Sequence, residues 1–264
     1  MHTKQEQKTE QGVFNYTLFF LLALLASING LTGGFISWSQ GLSSIPINPV
    51  LLLAFFSIIY LHFSNRDSQT NLIIPCCILA IFSIIPSSLA AWVGLLLAII
   101  TYRIQTGEFK EELAILFMLA LSFIWQNCLF KVSSNMILNA ETWIIGKFLS
   151  PFYTDLYVDK NHLMLSDGHN LSIGIGCSVF SNFSFVLLGW MCIYFLIGYK
   201  KLNIKWIFLM FITLAFMNIM RIGIMSIDYP TYVFVHDGWG AIVYNFLLLA
   251  ISASPLVISF QRTG

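Results

Sequence analysis

Apolar runs of 17 to 22 residues follow one another along the chain, separated by short breaks of charged residues, Gly, Asn or Pro. A hydrocarbon core about 30 Å thick needs roughly 20 helical residues to cross it, so these runs read as membrane spans. Eight are predicted, near residues 14–32, 45–63, 71–87, 88–104, 110–130, 177–198, 204–225 and 239–260. The third and fourth meet at Pro86, Ser87 and Ser88, where the pattern allows either two helices joined by a tight turn or one long kinked helix.

One stretch, 131–176, does not read as spanning. In 136–149 the apolar positions Met136, Ile137, Ala140, Trp143, Ile144 and Phe148 recur with helical spacing, predicting a short helix lying in the membrane interface. After Pro151 the pattern shortens to strand-like segments at Leu156–Val158, His162–Leu165 and Leu171–Ile175. Turns at Asp159-Lys160-Asn161 and Ser166-Asp167-Gly168 would make them a small β-meander leading into Cys177.

Composition agrees with the pattern. The 264 residues are 58% hydrophobic and only 9% charged, with a mean hydropathy of +0.81, more apolar surface than a soluble domain of this length buries. The expected fold class is an all-α polytopic membrane protein of about eight spans, with an interfacial helix and a β-meander before the sixth. It is read as a single integral membrane domain over 1–264: a tail at 1–13, an extracytoplasmic segment at 131–176 and catalytic helices at 177–260. A net charge of +1 and the absence of any basic stripe set nucleic acid aside as a partner. Lys4 and Lys8 precede the first apolar run as in a secretory signal, but nothing after Asn29 resembles a small-residue cleavage site, so the run is read as a retained span.

Eight spans place both termini on one side. Lys4, Lys8, Arg66, Arg103, Lys110, Lys200, Lys201, Lys205 and Arg262 then share that side, nine against Lys131, Lys147, Lys160 and Arg221 opposite. By the positive-inside rule the termini are cytoplasmic, and Cys177, Arg221 and His236 all fall at the outer face.

Those three carry the candidate chemistry. Cys177 follows Gly174-Ile175-Gly176, and a helix starting there would aim its free N–H groups and positive dipole end at the sulfur, which favours the thiolate. The other cysteines, Cys76, Cys77, Cys128 and Cys192, have no metal-type spacing and lie in or beside apolar runs, where Cys packs as a small hydrophobe. Arg221 stands one turn from the outer end of an apolar helix, with Asn218 one turn back on the same face. A snorkelling anchor would explain it blandly; an ionised residue inside a span is more often functional. His236 lies in Val235-His236-Asp237-Gly238-Trp239, where Asp237 is positioned to cap the last span. A thiol, an imidazole and a guanidinium on one face fit acyl transfer: nucleophile, general base and acid, and oxyanion donor. Ser178 and Ser181 are weaker nucleophile candidates, Ser178 being accounted for by capping. His162 and His169 with Asp155, Asp159 or Asp167 lack any ligand motif, so neither metal nor organic cofactor is expected.

Gly176-Cys177-Ser178, Asn218-Ile219-Met220-Arg221 and His236-Asp237-Gly238-Trp239, set among about eight spans, resemble the exosortase and archaeosortase group of membrane transpeptidases. The likeness runs over roughly 45–260, with its specific part in 150–245. The usual bacterial pattern is Ala-Cys-Ser-Gly, from which this chain departs at Gly176 and Val179; a His at 236 rather than an Arg is the bacterial form. The resemblance implies a cysteine protease-transpeptidase in the bacterial cytoplasmic membrane. It would cleave exported proteins bearing a C-terminal motif, a hydrophobic helix and a basic tail, through a thioester on Cys177 with Arg221 and His236 as partners and Asn218, Gly176, Ser178 and Asp237 in support. Water or an amine would accept the product, and the substrate helix would pack beside small residues such as Gly189 or Ala215. Two readings from other classes stand beside it: a transporter subunit with an anion-binding Arg221, and a non-catalytic membrane scaffold.

Overall fold

The computed structural model describes residues 2–32, 49–64, 72–153, 155–165, 170–200 and 203–255, with side chains from Asn15 onward. Arg66, Lys201 and Arg262, which enter the charge comparison, lie outside the described residues. So do His169, the turn at 166–168 and the side chains of Lys4 and Lys8. The chain gathers into two compact units, Met1–Asn127 and Cys128–Gly264, taken in turn.

The first unit holds α1 (His2–Leu31), α2 (Pro49–Ser64), α3 (Ile73–Ile84), α4 (Ser88–Thr106) and α5 (Glu111–Ile124). Pro86 settles the open alternative as two helices. It pushes Ile85 into an extended conformation, ending α3, and the Ser87 side chain then accepts from the Ala90 N–H to start α4. The pair closes tightly, because a Cβ on Gly94 would lie 2.3 Å from the Phe82 Cβ. Gly30 of α1 fits against the Trp92 ring in the same way, and Trp92 stacks on Phe123 at 4.7 Å. At the far end of these helices Tyr16 donates to the fully buried Glu112 carboxylate, His62 stacks on Phe20, and Lys110 Nζ sits 3.9 Å over the Tyr16 ring.

The second unit begins with α6 (Phe130–Leu149). No break separates it from α5: helix runs from Glu111 to Leu149 over 39 residues, with a π-turn at Trp125–Leu129. The interfacial helix expected at 136–149 is therefore the continuation of the fifth apolar run, since neither Gly nor Pro interrupts 130–145 and the polar Lys131, Ser133 and Ser134 are compatible with helix. Three short strands follow, β1 (Tyr157–Asp159), β2 (His162–Met164) and β3 (Leu171–Ser172), antiparallel in that order. Lys160 takes the left-handed conformation, φ +52°, at the first turn. β1 lies on α6 at Gly146, where an added Cβ would meet Val158 at 2.3 Å. Asn161 bonds both ways with Ile173, tying the hairpin to the segment before Cys177.

The unit continues with α7 (Val179–Leu196), α8 (Ile204–Met225), α9 (Tyr229–His236) and α10 (Trp239–Ser252). The sequence pattern places no helix before 239. α9 forms because the Asp228 carboxylate accepts from the Thr231 N–H at 2.7 Å and Pro230 preorganises the first turn. Gly238 and Gly240 allow the chain to turn 46° into α10, since a Cβ on either would lie within 2.8 Å of the α9 backbone.

Among the described residues four helical segments are long and apolar enough to cross a membrane, α4, the α5–α6 run, α7 and α8, and the bent α9–α10 pair makes a fifth when counted as one broken span. Three shorter apolar helices, Asn15–Leu31, Pro49–Ser64 and Ile73–Ile84, coincide with the first three predicted runs but fall below spanning length over what is described. The chain is an α-helical, multi-pass membrane protein, and four to five segments reach spanning length among the described residues, against the eight runs expected from the sequence.

Candidate active site

Cys177, Asn218, Arg221, His236 and Asp237 all lie in the second unit. Cys177 ends a single 3-10 turn (Ile175–Cys177) that joins the meander to α7, and it is 8% exposed. Its carbonyl accepts from Asn218 Nδ2 of α8 at 2.7 Å, a buried bond that sets the Cys177 turn against α8. Asn218 is itself held, because Tyr244 of α10 donates to its Oδ1 at 3.3 Å. One turn further along α8 the Arg221 guanidinium lies 4.3 Å over the Tyr244 ring. Arg221 is thus laid on an aromatic face. Its Nε is buried and has no hydrogen-bond partner among the described residues.

His236 closes α9. Its ring stacks on Tyr232 at 5.0 Å, and its Nδ1 lies 2.7 Å from the Asp237 carboxylate. Asp237 therefore orients the imidazole and does not cap α10, whose N-cap is Gly238. That choice follows from chain geometry: Asp237 still belongs to the last turn of α9, its N–H bonded to the Val233 carbonyl. Tyr232 is within electrostatic reach of Cys177, Arg221 and Asp237, and Tyr244 of Cys177, Arg221 and Glu141. Cys177 and Arg221 are within that reach of both tyrosines, and His236 stacks on Tyr232 alone. Among the described residues no hydrogen bond joins Cys177, Arg221 and His236 directly.

Two details at Cys177 differ from the sequence expectation. The helix starts two residues later, at Val179, and its first N–H groups meet a carboxylate. They are taken by Glu141 of α6, whose carboxylate accepts from Phe180 N at 3.4 Å and faces Val179 N and the Ser178 side chain. A carboxyl oxygen accepting there satisfies an N–H group that the start of α7 would otherwise leave without a partner. Ser178 is fully buried beside that carboxylate and makes no side-chain cap bond, contrary to its expected capping role. Gly174 and Gly176 leave open space next to the Cys177 turn, with no atom within 4 Å of where their Cβ atoms would be.

Glu141, Tyr232 and Tyr244 were not singled out by sequence reasoning. Glu141 carried a legible signal, an acid in an apolar helix; the tyrosines carried none, being ordinary residues of apolar runs. Among the described residues, no three His, Cys, Asp or Glu side chains come together as a ligand set.

The fold and this cluster define a class: an α-helical membrane protein with a thiol, an imidazole–carboxylate pair and a guanidinium laid on a tyrosine ring at the ends of its last helices. In comparisons with known proteins, no family model, no curated protein and no solved structure matches the chain.

Proposed function

We propose that the protein is a membrane-embedded cysteine peptidase-transpeptidase of the exosortase kind. The observation that carries the reading is the chain of contacts from the Cys177 carbonyl through Asn218 to Tyr244 and on to Arg221, with His236 and its Asp237 partner against Tyr232. Cys177 attacks the scissile carbonyl of a peptide. The developing oxyanion is met by Arg221, a planar and permanently charged donor whose Nε has no other partner to give up. His236, oriented by Asp237, takes the thiol proton and returns it to the leaving amine, so that a thioester remains on Cys177. Water or an amine-bearing acceptor resolves that thioester.

In this reading the substrates are exported proteins with a C-terminal motif, a hydrophobic helix and a basic tail. The termini are cytoplasmic, the site faces outward, and the membrane is the bacterial cytoplasmic membrane. The open space beside Gly174 and Gly176 supports close approach of an extended peptide to the nucleophile. The partnerless Arg221 Nε also favours a second reading, in which the guanidinium binds an anionic solute and Cys177 is incidental. Cys177→Ala separates the two: accumulation of unprocessed, longer substrate with no thioester supports the peptidase, and normal processing eliminates it.

A further inference from the structure

Tyr244 touches both halves of the cluster at once. Its hydroxyl holds Asn218, which holds the Cys177 backbone, and its ring carries Arg221 at 4.3 Å. The side chain is 7% exposed, in the second turn of α10, and no other described residue contacts both Asn218 and Arg221 by a hydrogen bond or a ring face. Asn218 and Arg221 are three residues apart on α8, so a single ring placed against that face meets both. A guanidinium free of this ring would sample many rotamers, whereas one laid on an aromatic face keeps its plane and its donors in a fixed direction.

We propose that Tyr244 is the positioning residue of the site, setting the direction of the Arg221 guanidinium and the placement of the Cys177 backbone through one side chain. This rests on the acyl-transfer reading for its purpose, but the geometry is testable without a substrate. The probes are iodoacetate and iodoacetamide, from which the Cys177 thiolate displaces iodide to form a thioether. A guanidinium held toward Cys177, as the proposal requires, speeds the anionic reagent relative to the neutral one, so the ratio of the two rates reads the guanidinium's position. The full-length protein is used in nanodiscs, with Cys76, Cys77, Cys128 and Cys192 replaced by Ala.

Tyr244→Leu is expected to lower that ratio by about three- to tenfold, the range set by typical coupling between contacting residues, and Tyr244→Phe, which keeps the ring, by less. Arg221→Gln is expected to lower it at least as far, and adding Tyr244→Leu to Arg221→Gln to lower it no further, because Tyr244 acts on the ratio through Arg221. A ratio unchanged in Tyr244→Leu overturns the proposal, as do losses that multiply in the double variant. Tyr244→Phe, nearly isosteric, keeps the test usable where the Leu variant does not fold: an unaltered ratio in Phe with a collapsed one in Tyr244→Trp, which cannot keep the same ring position, supports positioning, and equal ratios in both refute it. Failure of the acyl-transfer reading appears separately, as normal processing in Cys177→Ala, and leaves this ratio as it is.

Discussion

Replacing Asn218 by Leu removes one side chain of similar size and breaks two hydrogen bonds at once. Asn218 is 1% exposed, and its amide serves the Cys177 carbonyl at 2.7 Å and the Tyr244 hydroxyl at 3.3 Å. A net intramolecular hydrogen bond contributes about 0.5–1.5 kcal/mol, and a buried polar group left without a partner costs about 1–3 kcal/mol. The two losses together come to roughly 2–4 kcal/mol, falling on the Cys177 turn and its seat against α8. Where reagent access requires that turn to open, such a loss raises the population of the open form by about 30-fold or more. Maleimide labelling in nanodiscs, quantified residue by residue by mass spectrometry, measures it. Cys177 labelling is expected to accelerate by tens of fold in Asn218→Leu, while Cys192, fully buried in helix α7 that follows, stays protected. Asn218→Asp is expected to behave similarly, because a carboxylate cannot donate to the Cys177 carbonyl. Cys177 labelling within about twofold of wild type in both variants would show that the Asn218 bond does not hold the turn.

Arg221→Lys keeps the charge and loses the planar fork laid on Tyr244; processing measured by substrate length on immunoblots is expected to fall by about 10²-fold or more, as on losing an oxyanion donor, and full processing would make Arg221 an anchor. Glu141→Gln retains an acceptor for Phe180 N and is expected to leave thermal stability in detergent within about 0.5 kcal/mol of wild type, whereas Glu141→Ala strips the α7 N-terminus and costs about 1 kcal/mol or more; equal stability of Ala and wild type contradicts the capping role. Gly94→Val places side-chain atoms inside the Phe82 contact and is expected to destabilise the α3–α4 hairpin by about 1–3 kcal/mol, read as a lower melting temperature, with an unchanged melting curve excluding the close packing. Asp228→Ala removes the cap of α9 and is expected to cost about 1 kcal/mol and to reduce processing through His236; normal processing would mean that α9 does not need its cap to present the imidazole.

The helices of this protein were legible because each is a run of apolar residues ended by a recognisable breaker. Pro86-Ser87-Ser88 shows the limit of that reading: a Pro and two Ser residues announce a break, yet only the fit of Gly94 against Phe82 makes the two helices a closed hairpin. At 131–135 a polar patch looked like an exit from the membrane and is instead the interior of a continuous helix, since polarity alone does not stop hydrogen bonding from residue to residue. α9 was missed because its apolar run is only eight residues long, too short for periodicity to register, and its start depends on a cap bond from Asp228.

In the site, a Cys among small residues, an Arg within an apolar helix and a His beside an Asp stand out in the sequence because each is costly or unusual where it sits, and cost is a local property. What surrounds them is not local. Asn218 meets the Cys177 carbonyl across 41 residues, and Tyr244 meets Asn218 across 26. A tyrosine in an apolar helix reads as packing wherever it falls, and whether its hydroxyl and face are spent on an amide and a guanidinium depends on how α7, α8 and α10 lie against one another. The sequence by itself determined the membrane-embedded helical class and picked out Cys177, Arg221 and His236 as candidates, because hydrophobic length and the cost of buried charge are written in single segments. The tertiary structure alone decided that Glu141 occupies the helix end expected to face the thiol and that Tyr244 carries Arg221, because contacts between distant segments depend on the packing of whole helices.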